Sequence, residues 1–113
     1  MFHYSKEDEA YLAERNGIEF LCEEPVPEYT EEAGRLAECY AERLPELAAF
    51  MLEELNGVYG PLTVEEFIAR LGRPQIDLDA NVVRFLEHDF DDHILGVEFE
   101  GELEEFLDFS MDG

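Results

Sequence analysis

The spacing of apolar residues changes once along this chain, near Pro74, and that change narrows the architectures open to it. Upstream, Ala33, Leu36, Ala37, Tyr40, Leu44, Leu47, Ala48, Met51, Leu52 and Leu55 recur at intervals of three and four. An α-helix turns once in 3.6 residues, so this spacing draws one continuous apolar stripe. Downstream the residues alternate: Ile76 and Leu78; Val83 and Phe85; Leu95, Val97 and Phe99; Leu107, Phe109 and Met111. A period of two belongs to strands with one face buried and one in water. Turn-forming clusters at 79–81, at 89–92 and at Gly101 separate them. Helices first and strands last predict an α+β domain spanning residues 1–113. Its N-terminal helices, one of them long and kinked, would pack on a C-terminal antiparallel β-meander.

Local signals refine that outline. Thr30 is a good N-cap, with Glu31 and Glu32 favourable against the helix dipole. Pro45 removes a backbone donor but leaves the stripe in phase, which predicts one kinked helix that ends at Asn56-Gly57. Thr63 and Glu66 form a capping box for a second helix carrying Val64, Phe67, Ile68 and Leu71, with Gly72 as its stop. Near the start, Ser5 and Asp8 predict a short helix over 6–15 that Asn16-Gly17 would end. The same Asn-Gly could instead turn a hairpin into a strand over 18–22, where Ile18, Phe20 and Cys22 alternate.

Charge is the second constraint. The 113 residues hold 30 acidic and 7 basic side chains, a formal charge of -23. With 46% apolar residues, nine Phe and five Tyr, the chain can still build a core, unlike a disordered acidic tail. Solubility asks for a net charge of only about 2 to 8 in a small domain, and the excess opposes compaction by self-repulsion. A basic partner, a saline interior or bound cations would each account for it. Free nucleic acid and anionic membranes would be repelled. The preference for Glu over Asp and the ordinary apolar fraction weigh against salt adaptation.

Cys22 and Cys39 make no Cys-x-x-Cys motif, and a chain of this size needs no disulfide staple. The first residues lack a basic and then apolar leader, and no apolar run is long enough to span a membrane. A cytoplasmic protein with reduced thiols is expected.

Two groups of side chains could carry function. His88, Asp89, Asp91, Asp92 and His93 place imidazoles and carboxylates where a loop could gather them round zinc or manganese. The competing reading is an Asp-rich turn, because Asp hydrogen-bonds its own backbone. Glu98, Glu100, Glu102, Glu104 and Glu105, joined by Asp89, Asp91 and Asp92 if adjacent strands pair, would form an anionic field that attracts a basic protein. The competing reading there is an ordinary solvated face. Two stretches, from Asp77 and from Asp108, imitate the opening of a calcium loop. The first has Val82 in place of the required Gly, and the second ends before its closing ligand. Ser5 and Ser110 are the only serines, with no nucleophile elbow or phosphate loop around them, so neither catalysis nor a cofactor is expected.

Leu44-Pro45-Glu46-Leu47, Gly60-Pro61-Leu62-Thr63, and the stretches 71–77, 88–100 and 110–113 together resemble small uncharacterised bacterial proteins classed as a domain of unknown function. Some similar small acidic proteins are regarded as immunity proteins of toxin systems. The resemblance spans roughly residues 30–113. It implies a non-catalytic binding protein that neutralises a basic partner such as a nuclease toxin, and it transfers no site residue. A nucleic-acid mimic that occupies a DNA-binding enzyme, or a metal-dependent activity at 88–93, are the alternatives.

Overall fold

The computed structural model describes residues 2–113. Three strands come first: β1 (His3–Ser5), β2 (Ala10–Arg15) and β3 (Ile18–Cys22). Two helices follow, α1 (Pro27–Leu55) and α2 (Val64–Ala69). Four more strands close the chain: β4 (Pro74–Asp77), β5 (Val82–Phe85), β6 (Ile94–Glu100) and β7 (Glu105–Asp112). All seven strands join one sheet in sequence order. Every neighbouring pair is antiparallel except β3 and β4. A parallel join needs a long crossover, and the two helices supply it. The class is α+β, with the helical segment inserted into the sheet rather than placed before it.

The helical stripe read from the sequence is the buried face of α1: Ala33, Leu36, Ala37, Leu47, Ala48, Met51 and Leu55 lie in the core. They meet the inward residues of the sheet, among them Ile18, Phe20, Ile76, Val83, Phe85, Leu95, Val97 and Phe99. Each such side chain, fully withdrawn from water, contributes about 1.5 to 3 kcal/mol. The helix runs through Pro45 to Asn56, whose N–H still bonds the Leu52 carbonyl and whose left-handed conformation (φ 48°) ends it. No helix among the described residues is long and apolar enough to cross a membrane.

Four expectations need correction. Residues 6–15 do not form a helix: 10–15 are β2, so strands precede the helices. Ser5 Oγ donates to Asp8 Oδ2 at 2.8 Å and accepts from the Asp8 N–H at 3.3 Å, closing the turn between β1 and β2. Ser and Asp three apart serve a turn as well as a cap, and here sheet pairing decides. Asn16 (φ 53°) and Gly17 (φ 79°) then take the two positive φ values of a tight hairpin into β3. Second, α1 begins at Pro27 and not after Thr30. Its N-cap is Val26, without a side-chain cap, and Pro27 brings a preset φ and no N–H to satisfy.

Third, α2 has its capping box, with Thr63 N–H donating to Glu66 Oε1 (2.8 Å) and Glu66 N–H to Thr63 Oγ1 (3.1 Å). It ends at Ala69, however, and Gly72 is not its stop. Gly72 donates its N–H to the Glu87 carbonyl at 2.6 Å, and a Cβ there would sit 2.6 Å from that oxygen. Close backbone approach is why this position is glycine. Fourth, Leu107 does not face the core. Glu98 pairs with Asp108 and Phe99 with Phe106, so Leu107 is the extra residue of a bulge and is 46% exposed.

Candidate functional site

Outward-facing positions on β6 and β7 follow from the buried ones. Leu95, Val97 and Phe99 point to the core, so Glu98 and Glu100 point away. Across the ladder, Glu98 faces Asp108 and Glu100 faces Glu105. Like charges directly opposed cost roughly 0.2 to 1 kcal/mol per pair. Among the described residues, no ion pair involves any of these four carboxylates. Glu100, Gly101, Glu104 and Glu105 line a shallow depression at the end of the hairpin.

The turn between β6 and β7 is fixed firmly to α1. Leu103 is fully buried despite a positive φ of 61°, a conformation that costs a bulky residue on the order of 1 to 3 kcal/mol. Burial of its side chain offsets that strain. Arg43 Nε donates to the Leu103 carbonyl at 2.8 Å and Arg43 Nη2 to the Glu104 carbonyl at 3.3 Å. Arg35 Nε pairs with Glu102 Oε1 at 2.8 Å, and Cys39 Sγ lies 3.3 Å from the Glu102 carbonyl. Glu102 is therefore compensated, whereas Glu98, Glu100, Glu104 and Glu105 face outward with no ion pair among the described residues. Burial, first, and the nearby Glu102 charge push the Cys39 thiol pKa upward, which keeps it protonated and unreactive.

Asp89, Asp91 and Asp92 do not adjoin these acids. They lie in the loop before β6, and the seven residues of that strand put about 20 Å between the loop and the Gly101 turn. The loop acids are also largely committed. Arg70 Nε pairs with Asp89 Oδ1 at 2.6 Å while its guanidinium sits 4.0 Å over the Phe90 ring, and Tyr59 stacks on the same ring at 4.4 Å. Asp91 accepts from the Tyr59 hydroxyl (2.9 Å) and the His93 N–H (2.9 Å), and lies 2.8 Å from His93 Nδ1. Desolvation works to raise the Asp91 pKa, but the His93 and Tyr59 hydrogen bonds together hold it below the usual carboxylate range. Tyr59, partly desolvated and bonded to Asp91, is pushed up to about 12.

His88 accepts the Phe90 N–H at Nδ1 (3.3 Å), so its proton belongs on Nε2, which meets the His93 carbonyl at 2.6 Å. Both ring nitrogens are occupied by the loop's own backbone. Among the described residues, no group of three or more His, Cys, Asp or Glu is placed to hold a metal ion. The geometry is that of an Asp-rich turn clasped to α2.

The structure gives roles to residues that the sequence did not single out, and new roles to Asp77 and Asp108. A third like-charge pair, Glu14 opposite Glu19, sits between β2 and β3. Arg73 reaches both carboxylates at 3.2 and 3.6 Å, and Glu87 at 3.7 Å, while Gln75 Nε2 donates to Glu19 Oε1 at 2.7 Å. Asp79 accepts from the Glu23 N–H and from the Tyr29 hydroxyl, both at 2.7 Å, and the latter bond chiefly pushes the Tyr29 phenol up to about 12. Asp77 Oδ1 accepts two N–H groups of the following turn at 3.0 Å, which explains the resemblance to a calcium loop opening. Asp108 was legible in part: it alternates with Phe109 and Met111. Neither a protein-family model, a curated protein nor a solved structure matches the chain.

Proposed function

We propose that this chain is a non-catalytic binding protein that neutralises a basic protein partner through Glu98, Glu100, Glu104, Glu105 and Asp108. An immunity protein acting on a basic nuclease toxin in the cytoplasm is the form of that activity we favour. One observation carries the reading. Two like-charge pairs face each other on β6 and β7, and among the described residues neither forms an ion pair with a cation, although Arg73 pairs with both acids on β2 and β3. A cationic surface docking there would replace mutual repulsion by attraction, and the field would speed encounter at low salt. A nuclease must present basic side chains to phosphates, which makes its substrate cleft a complementary target.

A duplex mimic would need acids ruled along an extended surface; acids outside ion pairs are spread over the described residues, but only on β6 and β7 do such acids oppose one another across a ladder, and that local concentration favours a protein partner. The test is capture of partners from the native cytoplasm by the wild-type chain and by a quadruple variant, E98Q/E100Q/E105Q/D108N. The expected result is salt-sensitive capture of an identified basic protein, inhibition of its activity, and loss of both in the variant. Equal capture by the two chains, or capture of no basic protein, would sink the proposal.

A further inference from the structure

Among the described residues β7 ends the sheet: β6 bonds one side of it and no strand of these residues bonds the other. It is eight residues long, whereas β1 at the opposite edge has three. A free edge presents unpaired N–H and C=O groups at alternate residues and is a template for another strand. The core-facing side chains report the same incompleteness. Leu95 and Val97 on β6 are wholly buried, yet their partners Met111 and Phe109 on β7 are only partly so. Beyond the bulge at Leu107, residues 108–112 keep unbroken register with β6, a docking length of about 17 Å.

The charges on this edge choose the occupant. A second copy pairing antiparallel about Ser110 would set Asp108 against Asp112 twice, with Glu98 close behind. Like charges so opposed are unfavourable. We propose that 108–112 accept a β-strand of the basic partner, with Lys or Arg opposite Asp108 and Asp112 and apolar residues covering Phe109 and Met111. The proposal rests on the basic-partner reading above and adds the mode of recognition: main-chain bonds for affinity, alternate side chains for specificity.

The probe is an acetylated, amidated peptide in which Lys and Val alternate over seven residues. It is compared with two versions N-methylated on one or the other alternate set of amides, and with a Glu-Val peptide. Expected are binding of the Lys-Val peptide, at least tenfold weaker binding of one methylated version, no binding of Glu-Val, and new amide-exchange protection confined to alternate residues of 108–112. Equal binding of all three Lys-Val peptides would overturn strand addition and leave the basic-partner reading standing. Equal binding of Glu-Val would overturn the charge reading and leave the open edge. Failure of every peptide, or a dimer of the chain with protected 108–112 amides, would overturn the proposal outright.

Discussion

Glu14 and Glu19 between β2 and β3, and Glu98 and Asp108 between β6 and β7, are the same local problem solved differently. Both set carboxylates across an antiparallel ladder. At the first, Arg73 draws three acids together and Gln75 adds a further donor. At the second, and at Glu100 with Glu105, no ion pair forms among the described residues. The chain has few cations to distribute, 7 against 30 acids, and their placement is selective. Arg35 and Arg43 reach the β6–β7 turn yet bind Glu102, Glu46 and two carbonyls, leaving the cross-strand acids bare. Where repulsion would loosen the fold's interior seams it is relieved; at the open edge it is tolerated.

Removing the arginine should have the largest effect on this contrast. Arg73→Ala leaves three carboxylates facing one another and should cost about 1 to 2 kcal/mol, roughly the sum of three exposed ion pairs. Urea unfolding at low salt reads it directly. A loss below the error of the midpoint would mean that Arg73 does not distinguish the two sites. The opposite change should have the opposite sign: E98Q/D108N relieves one pair and should stabilise the chain by about 0.5 kcal/mol. That gain should vanish in 1 M salt, where screening reaches about 3 Å. A destabilised double variant would show that the acids are satisfied in a way the comparison denies. Tyr59→Phe tests another compensated acid, Asp91, and should cost about 1 kcal/mol for one lost hydrogen bond.

The helical stripe, the Thr63 capping box and the alternation of β4 to β6 were legible because each is written in local spacing. What escaped was set by pairing partners rather than by local spacing. Ala10 to Arg15 are acceptable helix residues, and only pairing with β1 and β3 makes them a strand. Leu107 continues an alternation in sequence but falls at a bulge defined by β6. The acidic run 98–105 could be seen at once, yet its separation from Asp89, Asp91 and Asp92 depended on which end of β6 each occupies. Arg73, as an isolated cation, carried no signal at all until register brought Glu14, Glu19 and Glu87 to it.

The smallest effect should appear in pH dependence, where two acids differ as the two ladders do. Asp91, stabilised as a carboxylate by His93 and Tyr59 against its desolvation, has a folded pKa below its ordinary value of 3.8. Its contribution is present above the unfolded value and fades as pH falls through the folded one. Glu32 is shifted the other way, by burial first, with Arg35 only partly offsetting it, so its folded pKa lies above 4.5. Stability linked to Glu32 is fully present below the unfolded value and is lost as pH rises through the folded one. Glu32→Gln should therefore raise the urea midpoint at pH 7 and leave it unchanged at pH 3. Asp91→Asn should lower it at pH 7, with the gap narrowing below pH 3.8. Shifts of the same sign for both variants at pH 7 would show that acid number, rather than partner groups, governs which carboxylates this fold tolerates.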